Sequence, residues 1–123
     1  MRWRITLTAA LLAVSSGCSS YTQPTVTTMT TNTPGSAVSI ISGASTMTTT
    51  AYAPNPITIA AGGSVTWTNN DSTTHTATAS NGAWSSGSIG PGGKFTMTFQ
   101  TAGSFPYHCT IHPTMTGILV VKP

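Results

Sequence analysis

Between Ser64 and Cys109 the chain repeatedly alternates apolar and polar side chains. Val65 and Trp67 stand among Ser64, Thr66 and Thr68. Phe95, Met97 and Phe99 stand among Lys94, Thr96 and Thr98, and Phe105, Tyr107 and Cys109 among Ser104, Pro106 and His108. A period of two sends successive side chains to opposite faces of a strand, so each segment predicts a strand with one apolar face turned inward. Turn residues interrupt the runs at Ala61-Gly62-Gly63, Asn69-Asn70-Asp71, Gly90-Pro91-Gly92-Gly93 and Ala102-Gly103. No segment carries a persuasive helical period. Short strands rich in Thr, Val, Ile and aromatics predict an all-β domain, a small Greek-key sandwich of about seven or eight strands.

The same pattern divides the chain. Residues 36–123 are the predicted β domain. Residues 19–35, SSYTQPTVTTMTTNTPG, have neither a strand nor a helix period and read as a flexible tether. Residues 1–18 read as an export signal: Arg2 and Arg4, an apolar run from Ile5 to Val14, then small residues up to Cys18. That run is too short to span a bilayer, which takes about 20 apolar residues. The stretch Val14-Ser-Ser-Gly-Cys18 resembles the lipobox of bacterial lipoproteins, whose cysteine becomes lipid-modified after cleavage. Ser15 departs from the branched apolar residue usual at its position. The resemblance implies a protein exported to the periplasm and held to a membrane through Cys18. The alternative is an ordinary leader cut at a nearby small residue.

Charge narrows the function classes. The formal net charge of +3 includes Arg2 and Arg4 of the leader. Beyond residue 18 the fixed charges are Lys94, Lys122 and Asp71, so no basic face for nucleic acid exists. The chain has 2 cysteines. Export would normally pair them in a disulfide, but a lipidated or removed Cys18 leaves Cys109 alone. A single thiol in an oxidising compartment needs burial or a task.

The task is written in "YHCTIHPTMTG", from Tyr107 to Gly117. Cys109, His112 and Met115 follow a Cys-x2-His-x2-Met spacing, and His75 lies upstream on a face shared with Ala77 and Ala79. Cys109 shares its face with Phe105 and Tyr107 and points inward; His108 points the other way and lies outside the site. A thiolate, two imidazoles and a thioether match the trigonal His2Cys set with a long axial Met that holds a blue-copper centre. Thiolate and thioether suit Cu(I), imidazole suits both oxidation states, and the ligand set holds no carboxylate to favour a hard ion. Taken singly, each residue has an ordinary reading: a satisfied histidine, a buried small cysteine, a core methionine. Their conjunction in a charge-poor β domain favours copper. Met97 reads as core, and Met29 and Met47 have no such context.

These residues carry a resemblance to the cupredoxins. The short ligand loop is similar to that of amicyanins and shorter than that of plastocyanins. "PNPITIAAGGSVTWTNND" and "AGSFPYHC" extend the likeness from about Ala53 to Val121. The resemblance makes His75 the upstream ligand and Cys109, His112 and Met115 the loop ligands. Thr76 stands where many members have an Asn that ties the ligand loops together, and Ile111 stands where amicyanins have Pro. The resemblance also implies that His112 reaches an apolar surface through which the electron leaves.

The resulting expectation is a monomeric, non-enzymatic electron carrier. It would cycle one copper ion between Cu(II) and Cu(I), with redox proteins docking transiently at the His112 face. Three alternatives remain: a copper carrier or buffer using the same ligands, a small copper enzyme domain, and a structural sandwich with an incidental cysteine.

Overall fold

The structure, a computed structural model, describes residues 35–123; the expected leader, Cys18 and nearly all of the tether lie outside the described residues. Eight strands follow one another: β1 Ser36–Ile40, β2 Tyr52–Ala53, β3 Ile57–Ala60, β4 Gly63–Asn69, β5 Thr78–Ala79, β6 Lys94–Phe99, β7 Gly103–His108 and β8 Thr116–Lys122. A 3-10 turn at Ala44–Thr46 is the one helical element among the described residues. The strands form two four-stranded sheets, ordered β2-β1-β4-β6 and β3-β8-β7-β5. The all-β sandwich expected from the pattern is what the chain forms.

Alternation sets the faces as expected. In β4, Gly63, Val65, Trp67 and Asn69 are buried while the residues between them are half-buried. In β6, Phe95, Met97 and Phe99 turn inward and Lys94, Thr96 and Thr98 stay exposed. Trp67 is the centre of the core. Its ring lies 5.5 Å from Trp84, 5.6 Å from Tyr107 and 5.8 Å from Phe95, with tilted or edge-on geometry that suits aromatic quadrupoles.

Register between β7 and β8 puts Tyr107 opposite Gly117. The phenol ring occupies the space a side chain at Gly117 would need: a Cβ there would lie 2.3 Å from Tyr107 Cζ. Gly117 is therefore required by the close approach of a ring. This matters for the site, because Tyr107 lies two residues before Cys109 and Gly117 two residues after Met115.

Candidate metal centre

Cys109 is the first residue beyond β7. It continues that strand's inward phase and is fully buried, with a free thiol. The loop from Cys109 to Met115 is closed by two backbone bonds. Cys109 N–H donates to the Met115 carbonyl at 3.1 Å, and Met115 N–H to the His112 carbonyl at 2.9 Å. Met115 is fully buried at the mouth of β8, and His112 is half-buried at the loop's tip.

His75 comes from the long connection between β4 and β5. Its backbone pairs on both sides with Ile89: His75 N–H to the Ile89 carbonyl at 3.1 Å, and Ile89 N–H to the His75 carbonyl at 2.8 Å. That isolated bridge gives a loop residue the fixity of a strand residue. His75 is fully buried.

The three donor atoms converge. Cys109 Sγ lies 3.8 Å from His75 Nδ1 and 3.9 Å from His112 Nδ1, and the two nitrogens are 3.2 Å apart. These separations define a triangle whose circumcentre is about 2.1 Å from each corner, within the range of bonds from nitrogen and sulfur to a first-row metal ion. The donors' chemistry fits as well. His75 Nε2–H donates to Asp71 Oδ2 at 2.8 Å, which places the ring proton on Nε2 and leaves the Nδ1 lone pair facing the centre. The residues present fit a single ion bound by one thiolate and two imidazoles.

Asp71 is the functional residue that the sequence reading missed. Oδ2 accepts His75 and the Thr73 hydroxyl (2.9 Å), and Oδ1 accepts the backbone N–H groups of Gly43 (3.0 Å) and Ser72 (2.8 Å). These bonds, led by that from His75 and followed by that from Gly43, hold the carboxyl well below the usual carboxylate range, against the opposing effect of burial. The carboxylate therefore meets the back of His75, away from the donor triangle. Asn69 braces this turn, receiving Asp71 N–H on Oδ1 at 2.8 Å and donating from Nδ2 to the Thr73 and Ile89 carbonyls. The segment expected as a turn is one, and its Asn69 and Asp71 form a buried frame. The one signal in the sequence was that the chain's only acid stands four residues before the ligand histidine.

Thr76 links the two halves of the site. Its hydroxyl accepts Thr110 N–H at 2.9 Å, and its own N–H donates to Cys109 Sγ, 3.3 Å away. The tie between ligand loops expected at this position is thus made by a hydroxyl. Tyr52 donates to the Thr76 carbonyl, and burial, then the charge on Cys109, pushes its phenol far above the usual range. It stays a neutral donor. His108 stands apart: half-buried at the end of β7, it pairs in register with Thr78 and Thr116.

Comparison with known proteins agrees with this geometry. The family model Cupredoxin-like domain matches residues 5–121. A purple cupredoxin from Nitrosopumilus maritimus is 30% identical, with a TM-score of 0.66 over 71% of this chain and 99% of that one. A Cu(I) amicyanin variant is 26% identical, with a TM-score of 0.59 over 72% of this chain and 82% of that one. A copper-containing nitrite reductase from Thermus scotoductus SA-01 shares the fold over 22% of its own length, at 23% identity and a TM-score of 0.61. No curated protein matches the chain. With residues 5–121 matched and His75, Cys109 and His112 positioned to bind one copper ion, the chain belongs to the cupredoxin family.

Proposed function

We propose that the protein is a one-electron carrier held to the outside of a bacterial membrane. The observation that carries this reading is a donor triangle, two of whose members are fully buried and fixed by partners of their own. His75 is held by Ile89 and Asp71, and Cys109 by the Thr76 N–H and the Met115 carbonyl. Copper bound there supplies a Cu(II)/Cu(I) couple. Ligands that hardly move between oxidation states keep the reorganisation cost of electron transfer low. Met115, buried where the loop closes, would offer the ion its thioether as a fourth donor in this reading.

The electron's route out is His112. Its ring is half-buried and surrounded by exposed Ile111, Pro113 and Thr114, with Ile111 48% exposed. Among the described residues the fixed charges are Lys94, Lys122 and the inward-turned Asp71. Partners would therefore dock through apolar contact, with little electrostatic steering. Attachment through Cys18 rests on the leader and the lipobox-like stretch; two acyl chains, as lipoprotein processing adds, suffice for lasting anchorage.

Protein-film voltammetry tests the function. A carrier gives a reversible one-electron wave and retains its copper against a chelator in both oxidation states. A copper carrier or buffer instead surrenders Cu(I) readily. For the anchor, protein expressed with its own leader should partition into detergent, and Cys18→Ser should release it. Detergent-independent solubility of the unmutated form would refute the anchor.

A further inference from the structure

We infer that Asn55 is a positioning residue for Met115, acting as a substitute peptide that completes the β3–β8 ladder beside the metal centre. The inference rests on the copper reading, with Met115 as axial donor.

β3 and β8 run parallel, with Ile57 opposite Leu119 and Ala60 opposite Lys122. Two residues earlier, position 55 falls opposite Gly117. In a parallel ladder a residue there would donate its N–H to the carbonyl of Thr116 and accept the N–H of Ile118. Pro54 and Pro56 flank Asn55, neither has an N–H to give, and β3 begins only at Ile57. The Asn55 side chain makes both missing bonds. Nδ2 donates to the Thr116 carbonyl at 3.1 Å, and Oδ1 accepts Ile118 N–H at 2.9 Å. A carboxamide carries the same donor and acceptor as a peptide unit, so it can take that place.

Asn55 also reaches a third element. Nδ2 donates to the Thr49 carbonyl at 2.7 Å, while Thr116 N–H donates to the Thr48 carbonyl at 3.3 Å. Thr116 is thus gripped at both its N–H and its carbonyl, one residue beyond Met115. On the other side, Tyr107 presses against Gly117, leaving no space for the strand to slide towards β7. The start of β8 is clamped from β7, from the 48–49 segment and from Asn55. Met115 hangs from this clamp. The Asn55 side chain makes no hydrogen bond to His75, Cys109 or His112, so its effect on the centre should pass through Met115.

Loosening the clamp should weaken the thioether's contribution. A weaker axial donor stabilises Cu(II) less, which raises the potential, while the thiolate's intense visible band remains. Asn55→Ala removes the donor and the acceptor. Asn55→Asp keeps an acceptor for Ile118 N–H and loses the donor, so it should give part of the shift. Ile59→Val loosens the same strand by one buried methyl and leaves the amide in place; it is the control for stability alone.

The test uses the full chain. Copper-loaded parent, Asn55→Ala, Asn55→Asp and Ile59→Val are compared by voltammetry and visible spectra, and Asn55→Ala is repeated in a Met115→Leu background. In metal-free protein, hydrogen exchange at Ile118 is measured for parent and Asn55→Ala. The expected results are an upward potential shift in Asn55→Ala, a smaller one in Asn55→Asp and none in Ile59→Val. The shift should vanish when Met115 is Leu, and Ile118 exchange should speed up about tenfold. An unmoved potential in Asn55→Ala, or the same shift with and without Met115, overturns the inference and leaves the copper reading standing. Absence of the thiolate band from the parent overturns both. Should Asn55→Ala fail to fold, Asn55→Asp against Ile59→Val carries the same comparison.

Discussion

His75 and Cys109 end with donor atoms 3.8 Å apart, yet different kinds of structure bring them there. Cys109, His112 and Met115 lie within one short loop that its own backbone closes, and the strands β7 and β8 aim it. His75 is held by long-range partners: Ile89 on its backbone, Asp71 on its ring, and Gly43 behind Asp71 from 28 residues away. Loop spacing and strand phase build one half of the site. Hydrogen bonds between distant turns build the other. Disturbing packing should therefore injure the first half, and disturbing polar partners the second.

The largest effect expected is at the shared vertex. Cys109→Ala should abolish the intense visible band, which needs thiolate-to-copper charge transfer, whatever residual metal the two histidines keep. A band of unchanged strength would show that the triangle is not the metal site.

Gly117→Ala tests the packed half. A methyl group 2.3 Å from Tyr107 Cζ must displace the ring or the strand. The cost should reach about 3 kcal/mol, the upper part of the usual overpacking range, lowering the melting temperature by more than about 10 °C. A stability loss too small to measure would mean that β8 is free to move and that Tyr107 is no backstop.

Asp71→Asn tests the polar half and should be milder. The fold should persist, while copper affinity falls about 10- to 100-fold, as when other carboxylates behind a ligand histidine are lost. Acid stability gives a second readout. The Asp71 carboxyl is held below its usual value of 3.8, so its contribution is complete above that value and fades as pH falls towards the lowered one. Parent protein should thus lose stability below about pH 4 through this group, and Asp71→Asn should lack that component. Identical acid titrations of the two proteins would remove Asp71 from the frame.

The smallest effect is expected from salt. With Asp71 turned inward and Lys94 and Lys122 the remaining fixed charges among the described residues, no charged patch borders His112. Electron self-exchange, read from NMR line widths of mixed oxidation states, should change less than about twofold between low and high ionic strength. A steep salt dependence would mean that a charged segment takes part in docking.

How far the sequence could be read follows the same division. Strand phase was legible because alternation is local, and it turned Trp67, Tyr107 and Cys109 inward as observed. Cys109 and His112 were legible as donors because they stand three residues apart in one loop. Asp71 was not, since Asn69-Asn70-Asp71 has the composition of an ordinary turn. Only the fold shows that Asn69 and Asp71 face inward and that Gly43 returns to meet them. Asn55 was hidden for a related reason: between two prolines it reads as loop, and its ladder role appears only once β3 and β8 are paired.

The most direct measurement is a titration of the full chain with Cu(II), followed by visible absorption and EPR. One equivalent should produce an intense visible band that saturates at one ion per chain and bleaches on one-electron reduction, as a single buried thiolate with two imidazoles requires. A weak spectrum without thiolate charge transfer, or uptake that never saturates at one ion, would contradict the assignment of His75, Cys109 and His112 as one copper centre.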